Sequence, residues 1–142
     1  MILKEFLSQG RLTPHKTSSE EISGLYKIVE RDLKDAQIQE ISEDRRFNIA
    51  YNAVLQLATI LLYCKGYKIK GIGHHFVTLR SLKEILEGEY HPLIDYFNSC
   101  RVKRNISDYD RAGEISKSEV EELIEEAKKF KEIVKEWVKR NF

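Results

Sequence analysis

The chain has 142 residues, enough for one domain with a core of its own and too few for two of ordinary size. Its 24 Lys and Arg against 23 Asp and Glu leave a formal charge of +1. That balance excludes a bulk cationic binder, so any contact with nucleic acid has to come from a local patch. The two cysteines, Cys64 and Cys100, form no CxxC or CxxH group and lie in apolar helical patterns, which predicts buried thiols in a reducing cytosol and no disulfide.

Met1 to Leu7 is too short and too charged for a signal peptide. The longest apolar run, near Ala53 to Tyr63, is shorter than a bilayer span. The expectation is a soluble, cytoplasmic protein with no membrane contact. Ile2 to Leu7 suits a short helix, stopped by Gly10 and by Thr13-Pro14, since Pro14 turns its predecessor away from helical angles. Residues 1–17 read as an arm. Ser18-Ser19-Glu20-Glu21 reads as a capping box, and Ile22, Leu25, Tyr26, Val29, Leu33 and Ala36 follow at helical spacing to about residue 38.

Ser42 caps the next predicted helix, in which Phe47, Ala50, Tyr51, Ala53, Val54, Leu57, Ala58, Ile60, Leu61 and Leu62 occupy most of the circumference. A helix apolar nearly all round is a central one. Gly66 supplies its stop, and a loop follows through Gly71 and Gly73, which lack the lysine and strand context of a phosphate-binding or dinucleotide motif. Phe76, Leu79, Leu82, Ile85 and Leu86 mark another apolar helix face, ended by Gly88. Pro92 opens the next helix at its first turn, with Leu93, Ile94, Phe97 and Cys100 as its buried stripe. Tyr109 to Glu114 is a turn, and Ser116-Lys117-Ser118-Glu119 caps a last helix with Val120, Leu123, Ile124, Ala127, Phe130, Val134, Trp137 and Val138 on one face. Its Lys and Glu are a solvated face. These segments predict an all-α fold of about five long helices with no strand, in a single domain over residues 1–142.

The chemistry concentrates in Arg101-Val102-Lys103-Arg104-Asn105-Ile106-Ser107-Asp108-Tyr109. On a helix, Arg101, Arg104 and Asp108 share one face, so two guanidinium groups can hold a phosphate while Asp108 orients Arg104. Continuing the rows of Phe97 and Cys100 leads to this face, so it extends the core side, where an arginine needs a carboxylate, a ligand or another subunit. The competing reading is a solvated helix end, its cations complementing the helix dipole. His74-His75 lies at a glycine-flanked loop before a helix, where backbone amides can receive an anion. One of the pair is either a capping or core-lining residue or, if it lies beside Arg104, a general base. With His15 and His91 distant in sequence and no ligand array, no metal is expected, and no cofactor motif is present. Tyr51 reads as a core aromatic with its hydroxyl at the rim, or as part of a polar pocket with Asn52, Arg104 and Asp108.

The pattern Arg104-Asn105-x-x-Asp108-Tyr109 on the penultimate helix resembles the HEPN (higher eukaryotes and prokaryotes nucleotide-binding) superfamily. So does Ala50-Tyr51-Asn52-Ala53-Val54-Leu55 with Ala58, Leu61, Leu62, Gly66-Tyr67 and Gly73-His74-His75, which is similar to the central helix and following loop of small stand-alone members. The resemblance spans roughly residues 20 to 140. It implies an antiparallel, up-down bundle of four to five helices, a homodimer, and in many members an endoribonuclease whose Arg and His meet at the dimer interface. The family's His is replaced here by Asp108, and no His follows His91. The expectation is therefore a non-catalytic nucleotide- or RNA-binding module, with Arg101, Arg104 and Asn105 on phosphate, Asp108 positioning Arg104, and Tyr109, Tyr51 and Asn52 completing the site. By the same resemblance its partner is a small nucleotidyltransferase, in a toxin–antitoxin type of pair. Two alternatives stand beside it: a metal-independent endoribonuclease using Arg104, Asp108 and Tyr109, and a structural protein-interaction domain. A carboxylate beside a guanidinium is a weak base at neutral pH, which counts against the endoribonuclease.

Overall fold

The computed structural model describes residues 1–71, 74–109 and 115–142, and the side chains of all of these except 105–109. It is mostly helical. The elements, in order, are α1 (Ile2–Ser8), β1 (Leu12–Pro14), α2 (Ser19–Asp35), α3 (Glu43–Cys64), β2 (Tyr67–Ile69), α4 (His75–Ile85), a single 3-10 turn (Gly88–Tyr90), α5 (His91–Tyr109) and α6 (Lys117–Asn141).

The apolar circumference of α3 explains its place at the centre. Ala50, Ala53, Val54, Leu57, Ala58, Ile60 and Leu61 are all buried, and α2, α4, α5, α6 and β2 all pack against it. The alanines let neighbouring backbones come close, while Leu and Ile fill the gaps between them. Phe97 of α5 and Phe130 of α6 meet at 5.1 Å between ring centroids, tying those two helices together beside it. By length and composition α3 is the one helix among the described residues that matches a membrane span, but most of that surface is taken up by the other helices.

Among the described residues, three helices start with a serine cap. Ser18 accepts from the amide of Glu21, Ser42 from that of Arg45, and Ser116 from that of Glu119. Of these three, the full reciprocal box forms at Ser116, where Glu119 returns a bond to the serine amide at 3.0 Å. At Ser18 the expected return bond is absent. Glu21 instead accepts from Thr17 and meets His15, each at 2.6 Å, and the His15 ring packs on Tyr63.

Three expectations need correction. The chain has a two-stranded antiparallel ribbon, β1 with β2, pairing Leu12 with Ile69, Thr13 with Lys68 and Pro14 with Tyr67. Backbone bonds from Lys70 to Arg11 (3.0 Å) and from His15 to Gly66 (2.8 Å) extend it at both ends. Gly66 and Gly71 flank β2 at φ +97° and +89°, conformations that glycine adopts without strain. Second, residues 1–17 are built into the core: Leu3, Phe6 and Leu12 are buried, and the amide of Leu3 donates to Glu84 of α4. In addition α2 stops at Asp35, short of residue 38, and the carbonyl of Ala36 accepts at 2.7 Å from Nε of the buried Arg46.

Candidate functional site

Helix α5 carries its buried stripe as Ile94, Phe97 and Cys100, and the next turn along that side brings Arg101 and Arg104. Both are half-buried, whereas Val102 and Lys103 between them are exposed. Arg104 sets its guanidinium over the ring of Tyr51, 5.5 Å from the centroid. Arg101 covers the ring of Phe76 at 5.6 Å, and its Nε donates to Asn98 at 2.9 Å. Lys103 turns the other way and pairs with Glu119 of α6. Arg101 and Arg104 therefore converge on one place between α3, α4 and α5.

From α4 that place receives His75, whose ring lies 5.8 Å from Tyr51. His74 occupies the cap position of α4 but makes no side-chain cap bond, so the first amides of the helix have no side-chain acceptor there. A Cβ on Gly71 would stand 3.2 Å from Nε2 of His74, so glycine at 71 lets that ring fold back over the loop. Burial first, then the nearby Arg104 and Arg101 and the adjacent His74, hold His75 below the usual imidazole range, and it is neutral at pH 7.

Tyr51 lies beneath, fully buried. Its hydroxyl is sealed from solvent and has no hydrogen-bond partner among the described residues. Burial drives its pKa well above the ordinary tyrosine value despite the opposing pull of Arg104 and Arg101, so it remains a hydroxyl and a donor. Among the described residues Thr13 Oγ1, Tyr26 Oη and Arg46 Nη1 are also buried without a partner, but of these side chains it is Tyr51 whose ring has guanidinium groups and an imidazole beside it.

The site residues expected from the sequence thus separate. Arg101, Arg104 and Tyr51 come together. The hydroxyl of Tyr51 is buried rather than at the rim, because its ring is roofed by Arg104. Asn52 turns toward α2 and donates to the buried Asp32 at 2.6 Å, which makes it a link between α2 and α3. The side chains of Asn105, Asp108 and Tyr109, and the turn to Glu114, lie outside the described residues. His75, one of two histidines singled out, is the one beside Arg104. Phe76 was expected in the apolar stripe of α4, yet it is 47% exposed. A side chain in a helix's first turn leans back past the helix start, beyond the core it would otherwise cover. Asn98 gave no signal at all. Among the described residues, no three His, Cys, Asp or Glu side chains group as a metal site requires.

No family model, curated protein or solved structure gives a match to this chain.

Proposed function

We propose that this chain is an HEPN-like module, an antiparallel up-down bundle of four to five helices, that binds the phosphate of RNA or of a nucleotide between α3, α4 and α5. The observation that carries this is the buried Tyr51, whose hydroxyl has no partner among the described residues and whose ring is flanked by Arg104 and His75, with Arg101 near enough to act on it electrostatically. A buried donor left unpaired costs about 1–3 kcal/mol, and a phosphate oxygen drawn in by two guanidinium groups is the acceptor it lacks. The start of α4 adds the positive end of a helix dipole on the same side. The protein acts in the cytoplasm as a homodimer, and its protein partner is a small nucleotidyltransferase in a toxin–antitoxin type of pair; this part of the proposal rests on the family resemblance.

Anisotropy of labelled RNA and of a labelled nucleotide, in EDTA, tests the binding reading. Arg104→Ala should weaken binding roughly 10- to 100-fold, the range for removing one charge-assisted contact, and should flatten the salt dependence. Unchanged binding overturns it. One observation also favours cleavage as a second reading: His75 is neutral and beside Arg104, so the general base missing at position 108 has a substitute. RNA cleavage in EDTA that is lost in His75→Gln and in Arg104→Ala would select that reading.

A further inference from the structure

We infer that the site takes a single nucleotide ending in a phosphomonoester, with the phosphate between Arg104, Arg101 and Tyr51 and the base stacked on the open face of Phe76. The inference rests on the phosphate-binding reading above and adds which phosphate is bound and what lies next to it.

The first argument is where the positive charge sits. Besides Arg101 and Arg104, the cations of α4 and α5 are Arg80, Lys83 and Lys103. Lys83 is held by Asp95 at 2.5 Å and Lys103 by Glu119, and of these three only Arg80 has no carboxylate partner among the described residues. A strand of RNA running across the surface needs a track of cations, one for each phosphate it passes. These helices offer a point instead. Two guanidinium groups, a hydroxyl donor and a helix N-terminus converge there, which matches a group of charge about −2 better than an internal diester of charge −1. The Tyr51 hydroxyl, buried and lacking an acceptor among the described residues, marks the spot independently of the helix end.

The second argument is Phe76. It is next in sequence to His75, so its Cα lies about 3.8 Å from that of a residue already in the site. It is also one of the few large apolar side chains left exposed among the described residues. Arg101 covers one face of its ring and holds it in place. The other side of a ring held this way is a stacking surface, tolerant of which base it meets because every base presents a π-face. Phosphate and base are thus received by neighbouring residues of one helix turn, within the span of a single nucleotide. Leu79, Ile94 and Asn98 continue the groove beyond Phe76.

The test compares one short RNA with a 5′-phosphate and with a 5′-hydroxyl, and AMP with adenosine, by calorimetry or by competition. The 5′-phosphate should strengthen binding about tenfold or more, and AMP should bind where adenosine does not. AMP competing with the phosphorylated RNA identifies the free nucleotide as a ligand; binding of the phosphorylated RNA alone identifies the RNA end, and both outcomes support the inference. Phe76→Ala should weaken the nucleotide about tenfold while leaving inorganic phosphate unchanged, and Phe76→Trp should restore it. Phe76 is half exposed, so these variants keep the fold. Equal binding of the 5′-phosphate and 5′-hydroxyl RNAs overturns the inference but leaves RNA binding standing. No binding of any of the four overturns both readings, and an indifferent Phe76→Ala removes the stacking surface.

Discussion

Tyr51→Phe should make the unliganded protein more stable while making it a poorer binder. The substitution deletes one oxygen, which is buried and unpartnered among the described residues, on a ring flanked by Arg104 and His75. Holding such a hydroxyl out of water costs about 1–3 kcal/mol, and its removal lifts that cost. The gap left by a single oxygen costs about 0.5 kcal/mol or less, because the cavity penalty scales with the volume opened. The net gain is about 1 kcal/mol, or about 3 °C in Tm for a chain of this length. Urea denaturation followed by far-UV circular dichroism gives the free-energy change from the midpoint at constant slope. Phosphate binding, measured on the same samples, should weaken, so stability and affinity move in opposite directions, as they do where a site is kept at some cost to the fold. A Tyr51→Phe protein less stable than its parent by about 1 kcal/mol would refute the reasoning, because a loss of that size means the hydroxyl had a partner.

The imidazole of His75, followed by NMR, should titrate below 6.5, and Arg104→Ala should raise its pKa without restoring it, since burial is the larger cause. The same depressed value makes stability fall on acidification: below about pH 6.5 the unfolded chain takes up a proton that the folded chain does not, a loss visible as a falling urea midpoint. At the alkaline end the sign reverses. Burial pushes the thiols of Cys64 and Cys100 up to about 11 from 9.0, so above pH 9 the unfolded chain loses protons that the folded chain keeps, and the midpoint should fall again. Ser116→Ala removes the cap that completes the box at the start of α6 and should cost about 1 kcal/mol, read from the same midpoint, with Ser116→Asp losing little.

What the sequence makes legible here is whatever repeats along one element. The all-round apolar pattern of residues 47–62 marks a central helix, and α3 is one; the rows that run from Phe97 and Cys100 lead to Arg104, and that side chain does turn inward over Tyr51. Pairing between distant segments leaves no such trace. Leu12 to Pro14 and Tyr67 to Ile69 are three residues each, too short for alternation to be seen, and only their meeting makes them strands. His75 and Phe76 reach the site because α4 begins beside the second half of α5, a tertiary fact that spacing within either helix does not contain. Asn52 is adjacent to Tyr51 in sequence, but about a quarter-turn of helix separates them, enough to send one toward α5 and the other to Asp32.

The ribbon between β1 and β2 ties the beginning of the chain to the proposed site. Gly71 follows β2 closely, and His74 folds against that glycine immediately before α4 begins. Leu3, Phe6 and Leu12 anchor the other strand in the interior. Cutting away residues 1–14 would therefore do more than shorten an appendage: it would unfasten the strand that precedes α4, and on the proposed binding reading a change made at one extremity would be felt as altered ligand affinity at the far end of α5.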